Sequence, residues 1–100
     1  MTPFTHHFSW DPEKADANLR KHGVSFEDGA TVLADPLAVS LYDDGHSEAE
    51  ERWVTLGLAA SGALLVVIHT FEELNLLEAA VRIISARTAT AHERRTYEGR

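Results

Sequence analysis

The spacing of apolar residues changes its period twice along this chain of 100 residues, and the change restricts the folds that it can adopt. Before Asp35-Pro36 the spacing is that of amphipathic helices, from there to Arg87 it is that of strands, and after Thr90 it is again helical. A chain of this length builds one core. We therefore predict a single α+β domain over residues 1–100, in which two N-terminal helices pack on one face of an antiparallel twisted sheet, a C-terminal helix follows, and the other face is free to form a site.

Start and stop signals define the first helix. Asp11 before Pro12 is typical of an N-cap followed by a first-turn proline, and Gly23 suits a left-handed C-cap. These signals predict a helix over residues 12–22 after a short apolar start at Phe8. The residues predicted to face inward are Ala15, Leu19 and His22.

Two further helices have comparable signals. Ser25 begins a short second helix that ends at Asp35-Pro36. Thr90 and Glu93 form a capping-box pair that predicts a last helix, Ala91–Glu98. The second helix is predicted to bury Phe26, Ala30 and Leu33.

Four strands are predicted between the helices, over residues 37–42, 52–60, 63–71 and 80–87. Ser61-Gly62 is typical of a hairpin turn, residues 43–51 form an acidic loop, and residues 72–75 are predicted to be a loop. Strict alternation in the last strand places Arg82 and Arg87 on opposite faces.

Charge is distributed unevenly along the chain. The formal net charge is −7, but residues 1–81 carry −10 and residues 82–100 carry +3. The acidic total argues against a nucleic-acid partner, whereas the arginine-rich C-terminal end allows one. The chain has no cysteine, which excludes disulfides, thiolate metal sites and a cysteine nucleophile. We expect a soluble cytoplasmic protein with no membrane segment, no metal and no cofactor.

Several residues suit chemistry but also have ordinary structural explanations. His69, at the end of a strand, could transfer protons near neutral pH or be a buried, hydrogen-bonded histidine. Lys21 and His22 could belong to a site or simply stabilise the C-terminal end of a helix. Arg82 and Arg87 could bind an anion or keep an exposed strand soluble.

The order of several short motifs resembles the BrnT family of toxins over roughly nine-tenths of the chain. They include Trp10-Asp11-Pro12, Lys21-His22-Gly23, Asp35-Pro36-Leu37, Glu51-Arg52-Trp53, His69-Thr70, the run from Arg82 to Arg87, Glu93-Arg94 and Tyr97-Glu98.

The resemblance implies a RelE-like fold and a metal-independent endoribonuclease that blocks translation. It also implies a BrnA-type antitoxin that binds the toxin. Operator DNA is then contacted only through the antitoxin, and one implied assembly is a heterotetramer that contains a toxin homodimer. The implied reaction is attack of a 2′-hydroxyl on the adjacent phosphate of an RNA substrate. The residues that we assign to catalysis are Lys21, His22, His69, Arg82 and Arg87, and those assigned to RNA binding are Arg52, Arg94 and Arg95.

One stretch departs from the family pattern. Relatives often carry a basic residue after the strand that ends in Thr70, whereas this chain has Phe71-Glu72-Glu73. Acidic residues beside an RNA groove would repel the substrate. The alternative function is therefore a non-catalytic module that binds the antitoxin and helps to repress the operon. Mimicry of nucleic acid by the acidic surface and inhibition of gyrase are further alternatives.

Overall fold

The computed structural model describes residues 4–46 and 50–99, which contain three α-helices, two short 3₁₀ helices (Val32–Ala34 and Asp44–His46) and six strands. Ser47, Glu48 and Ala49 of the predicted acidic loop and Arg100 of the basic C-terminal end lie outside the described residues. The elements are β1 (Thr5–Ser9), α1 (Pro12–His22), α2 (Phe26–Thr31), β2 (Val39–Tyr42), β3 (Arg52–Leu58), β4 (Leu64–Thr70), β5 (Glu72–Asn75), β6 (Glu78–Thr88) and α3 (Ala91–Glu98).

The strands form one sheet in the order β1-β6-β4-β3-β2, and β5 pairs with the beginning of β6. Neighbouring strands are antiparallel except β1, which runs parallel to β6, so the predicted purely antiparallel sheet is wrong at this edge. The predicted loop over residues 72–75 is also wrong, because these residues form β5. All four residues of β5 are exposed, and a strand without a buried face has no apolar alternation to reveal it.

The sheet has an apolar cluster on each face. Residues of β4 alternate between the clusters: Leu65 and Val67 face α1 and α2, whereas Leu64 and Val66 face α3. The first cluster is the main core and contains the fully buried Phe26, Val32, Val67 and Ile83. The second is smaller and is covered by Ala89 and Tyr97. The helices therefore leave part of the α3 side of the sheet open.

Helix ends follow the local signals. Asp11 caps α1 by accepting a hydrogen bond from the Glu13 amide, and Gly23 adopts the left-handed conformation, with φ of 70°. In α3 both hydrogen bonds of the capping box between Thr90 and Glu93 are present. No helix among the described residues is long and apolar enough to cross a membrane.

The inward face of α1 differs from the prediction. Leu19 is 49% exposed and His22 is also exposed, whereas Asn18 is buried and Ala15 packs against the core. The Asn18 amide donates to the carbonyl oxygens of Ala86 and Val24 at 2.8 and 3.0 Å and accepts from the Ala86 amide at 3.2 Å. The pairing of β1 with β6 ends at Arg82. Beyond it, these hydrogen bonds satisfy the backbone amide and carbonyl of Ala86 on β6. The prediction is therefore confirmed for Ala15 and wrong for Leu19 and His22, in whose place the polar Asn18 faces inward.

Asp35 connects three elements. Its carboxylate accepts hydrogen bonds from the Leu58 amide at 2.8 Å and from the Tyr97 hydroxyl at 2.6 Å. Gly57 allows this approach, since a Cβ there would lie 2.8 Å from a methyl carbon of Val32. The turn after α2, the end of β3 and α3 are thereby held together.

Candidate functional site

A β-bulge between β4 and β6 decides which way the arginines of β6 point. Ile68 pairs with Ser85, but the next residue, His69, pairs with Ile83, so β6 carries Ile84 as an extra residue. The buried residues of β6 are accordingly Ala79, Val81 and Ile83 before the bulge and Ala86 after it. The alternation is inverted at the bulge.

Both arginines of β6 consequently lie on the same face. Arg82 precedes the core residue Ile83, and Arg87 follows the core residue Ala86, so each points away from the main core. Their predicted placement on opposite faces is wrong, because the extra residue shifts the pattern by one. Nothing in the period of the sequence indicates this insertion.

A third arginine joins this face from β3. Arg52 pairs with Thr70, and the Thr70 hydroxyl oxygen accepts a hydrogen bond from the backbone amide of Arg82 at 3.0 Å. The five residues that define this surface, which we call the arginine face, are Arg52, Thr70, Arg82, Ser85 and Arg87. It lies on the α3 side of the sheet.

Arg87 is held by a carboxylate of α3. Its guanidinium donates two hydrogen bonds to the Glu93 carboxylate, at 2.8 and 2.9 Å. This pairing, together with the amide and hydroxyl of Thr90, lowers the pKa of Glu93 from 4.5 to about 2 and raises the pKa of Arg87. The fork-to-fork geometry fixes the beginning of α3 against β6.

Arg82 is held by a different carboxylate, that of Glu50, just before β3. Glu50 also lines a pocket of about 690 Å³ with three other acidic residues, Glu51, Glu72 and Glu73, and with Trp53, Thr70 and Phe71. The acidic departure from the family pattern therefore lies directly beside one end of the arginine face.

His69 lies on the opposite face of the sheet, within the main-core side, and is only 2% exposed. Its Nδ1 donates to the Thr70 carbonyl oxygen at 2.9 Å, and its Nε2 meets the Thr55 hydroxyl at 2.7 Å, which in turn meets the Ser40 hydroxyl at 2.7 Å. Burial lowers the pKa of His69. A cavity of about 200 Å³ adjoins the ring. The geometry is that of a neutral histidine inside a hydrogen-bonded chain.

The remaining predicted residues lie on two helices. Lys21 and His22 are exposed at the C-terminal end of α1, one turn after Asn18, whose amide binds the backbone of Ala86. Arg94 and Arg95 are exposed on α3, and Arg94 lies 3.6 Å from Glu98. The structure therefore places Arg52, Arg82 and Arg87 on one face, with α3 beside them. His69 lies on the other face, and Lys21 and His22 lie on α1, which packs on that other side of the sheet.

Other cavities and donor clusters do not coincide with the arginine face. A shallow depression of about 770 Å³, lined by β1, α2 and the end of β3, contains none of the predicted site residues. Within residues 4–46 and 50–99, no three histidine, aspartate or glutamate side chains are grouped so that they could hold a metal ion.

Glu50 is the residue of this site that the sequence did not reveal. It is separated from Arg82 by 32 positions and lies in a run of acids that has no pattern of its own. Only the folded sheet brings the two together.

The fold is that of a small α+β domain. It is similar to the 1.1 Å crystal structure of the Brucella abortus ribonuclease toxin BrnT, with a TM-score of 0.57 and 25% identity over 86% of this chain and 99% of that chain. No protein with a curated description matches the chain.

The family model of BrnT, the ribonuclease toxin of type II toxin–antitoxin systems, matches residues 10–93. The chain belongs to this family. Membership confirms the resemblance drawn from the sequence and the predicted enzyme class, a ribonuclease.

Proposed function

We propose that this chain is the toxin of a type II toxin–antitoxin pair and a metal-independent endoribonuclease that cleaves RNA and thereby inhibits translation. The observation that carries the proposal is the arginine face, on which Arg52, Arg82 and Arg87 lie on the same side of the sheet, each on a strand. Strand-borne cations hold a geometry better than loops do, and phosphate recognition depends on such cations. The family description supports the same activity.

The two arginines of β6 would contact different phosphates of one RNA strand. A strand rises about 3.3 Å per residue, so Arg82 and Arg87 lie roughly 15 Å apart along β6. Their present carboxylate partners, Glu50 and Glu93, belong to separate segments of the chain. RNA would therefore lie along the sheet, with Arg94 and Arg95 of α3 as further backbone contacts.

The proposed reaction is an internal transfer within the RNA. A base removes the proton of a 2′-hydroxyl, whose oxygen attacks the adjacent phosphorus, while an acid protonates the departing 5′ oxygen. The products are a 2′,3′-cyclic phosphate and a free 5′-hydroxyl. Arginines stabilise the extra negative charge of the phosphorane, which is the largest contribution that such a site offers.

The proton carriers in this proposal are the histidines, with Lys21 as an additional cation. His22 is favoured because its ring is exposed. His69 is the second candidate. Its ring is buried on the face opposite the arginine face, and its hydrogen-bonded chain runs through the hydroxyls of Thr55 and Ser40 on that same side. We assign neither to the base or the acid step.

The partner in this proposal is a BrnA-type antitoxin, and operator DNA is bound only through that antitoxin. The toxin would act in the cytoplasm. When the antitoxin silences it, it would form a homodimer within a heterotetramer. We also propose that the fold is RelE-like, in line with its mixed α+β architecture.

A second candidate function is a non-catalytic module that binds the antitoxin and helps to repress the operon. The observation that favours it is specific: Arg82 and Arg87 are both already paired with carboxylates, and four glutamates line the pocket beside Arg82. Growth after induction without antitoxin distinguishes the two, because only the enzyme arrests growth.

The experiment for the first function uses Arg82→Ala, with Arg20→Ala on α1 as the matched loss of one arginine. Removing one positioned cation should slow cleavage of a purified RNA by about 100-fold, whereas Arg20→Ala should cleave like the parent. Circular dichroism melting checks that both variants fold. Equal cleavage by the parent and Arg82→Ala would remove Arg82 from the mechanism.

Metal independence has its own test. Because the proposed reaction uses only protein cations and proton carriers, EDTA should leave the cleavage rate unchanged. Loss of activity with EDTA and its return with a divalent cation would contradict this part of the proposal.

A further inference from the structure

We propose that Glu50 occupies, in the RNA-free toxin, the position on Arg82 that a substrate phosphate takes, so that RNA binds by displacing this carboxylate. The inference rests on the proposed function and adds to it the residue that competes with the substrate. It makes Glu50 an internal competitor built into the site.

The contact between the two side chains is of the type that a phosphate would make. A terminal nitrogen of the Arg82 guanidinium donates to a carboxylate oxygen of Glu50, and phosphate oxygens accept from guanidinium in the same way. The side chains are 46% and 36% exposed, so an incoming polyanion can reach the pair from solvent. Exposed ion pairs are weak, and their exchange is reversible.

The pair of Arg87 with Glu93 provides the contrast within the same sheet face. Glu93 makes two hydrogen bonds to Arg87 and also caps α3 through Thr90, so displacing it would disturb the helix. Glu50 instead lies at a bend outside any helix or strand. Of the two arginines of β6, Arg82 is therefore the one that can exchange its partner.

The surroundings of Glu50 determine how readily it leaves. Glu51, Glu72 and Glu73 line the same pocket, so a displaced Glu50 carboxylate would face three other acids instead of a cation. Repulsion by these acids favours the pair of Glu50 with Arg82. An RNA phosphate must therefore bind Arg82 more strongly in order to displace the carboxylate. Glu50 thus sets a threshold for substrate binding.

The test compares charge-neutralising variants in two backgrounds. The probe is a short 2′-O-methyl RNA, which binds but cannot be cleaved, and the readout is its dissociation constant by fluorescence anisotropy. Glu50→Gln should bind about two- to fivefold more tightly than the parent, the range that an exposed ion pair accounts for. In the Arg82→Ala background the same substitution should lose this gain and keep only the smaller long-range effect of removing one charge from the pocket.

Glu73→Gln is the matched control, because it removes one charge from the same pocket but lies on β5, opposite Ala79. Its effect should be similar in both backgrounds, as expected for a long-range charge. If Glu50→Gln behaves like Glu73→Gln in both, the displacement proposal is overturned while the arginine face stands. If Arg82→Ala does not weaken RNA binding in the first place, both the displacement and the role of Arg82 are overturned.

Discussion

At the scale of single residues, His69 shows how strand register determines what a titratable side chain can do. Its position on β4 turns the ring toward the main core, where the Thr70 carbonyl can only accept a hydrogen bond. Nδ1 therefore carries the proton, and Nε2 accepts from Thr55. Protonating Nε2 would break that bond and place a charge among buried residues.

We expect the stability of the fold to decrease in mild acid because of His69. The pKa of His69 is below 6.5 in the folded chain, so the unfolded chain binds the proton first as the pH falls. The contribution of neutral His69 to stability is therefore complete above pH 6.5 and declines as the pH falls toward the folded pKa. His69→Phe should lower the free energy of unfolding by about 1–3 kcal/mol at pH 7.5 and flatten this decline. Urea titrations at several pH values measure both effects. If the His69 imidazole titrated above pH 6.5 in NMR spectra of the parent, this expectation would be contradicted.

Asn18 is the second residue whose role depends on position more than on type. Because its amide satisfies backbone groups of Ala86 and Val24, Asn18→Leu should cost about 2–4 kcal/mol of unfolding free energy, despite similar volume. The adjacent Leu19→Gln should change stability by less than about 0.5 kcal/mol, because Leu19 is largely exposed. Chemical denaturation decides the matter, and equal stability of Asn18→Leu and the parent would show that the amide bonds are dispensable.

At the scale of elements, α3 is attached to the sheet at two places. Arg87 holds its first turn through Glu93, and Asp35 holds its last turn through Tyr97. The helix has no fully buried residue, so these polar contacts and the packing of Tyr97 position it. Arg94 and Arg95 are presented to solvent as a consequence.

The attachment through Glu93 should depend on pH. The pKa of this carboxyl is about 2 in the fold and 4.5 ordinarily, so its stabilisation is complete above pH 4.5 and is lost as pH falls toward 2. Glu93→Gln should destabilise the protein by about 1–2 kcal/mol at pH 7, after allowance for solvent screening, and by less at pH 2. Glu98→Gln, which loses only an exposed helical pair, is the control. Equal pH profiles of Glu93→Gln and the parent would exclude the ion pair as an anchor.

Elements whose signals are local could be predicted from the sequence, and those that depend on distant partners could not. Asp11, Gly23 and the Thr90–Glu93 capping box act within a few residues, and α1 and α3 have the predicted bounds. The strand β5 and the bulge at Ile84 exist only because of pairing with other strands. The candidate site follows the same rule. Arg82 and Arg87 could be proposed from the sequence, but their common face could not.

At the scale of the whole molecule, charge separates along the chain and across the fold. The −10 of residues 1–81 and the +3 of residues 82–100 place the cations on β6 and α3, while glutamates gather in the pocket beside Arg82. Such a division steers a polyanion toward one side of the protein and away from the other. It also favours a partner that carries carboxylates, because these are attracted to the same cations.

An antitoxin that silences the toxin should therefore cover the C-terminal cations. The arginines of α3 are exposed, so partner carboxylates can gain affinity there and, under the proposed function, exclude RNA by the same contacts. Charge reversal at Arg94 or Arg95, both exposed on α3, should weaken antitoxin binding about tenfold or more. Reversal at Lys14 or Arg20 on α1, equally exposed, should change it by less than about threefold. Calorimetric titration of the purified variants measures the difference, and an unchanged affinity for the Arg94 and Arg95 reversals would place the antitoxin on another face.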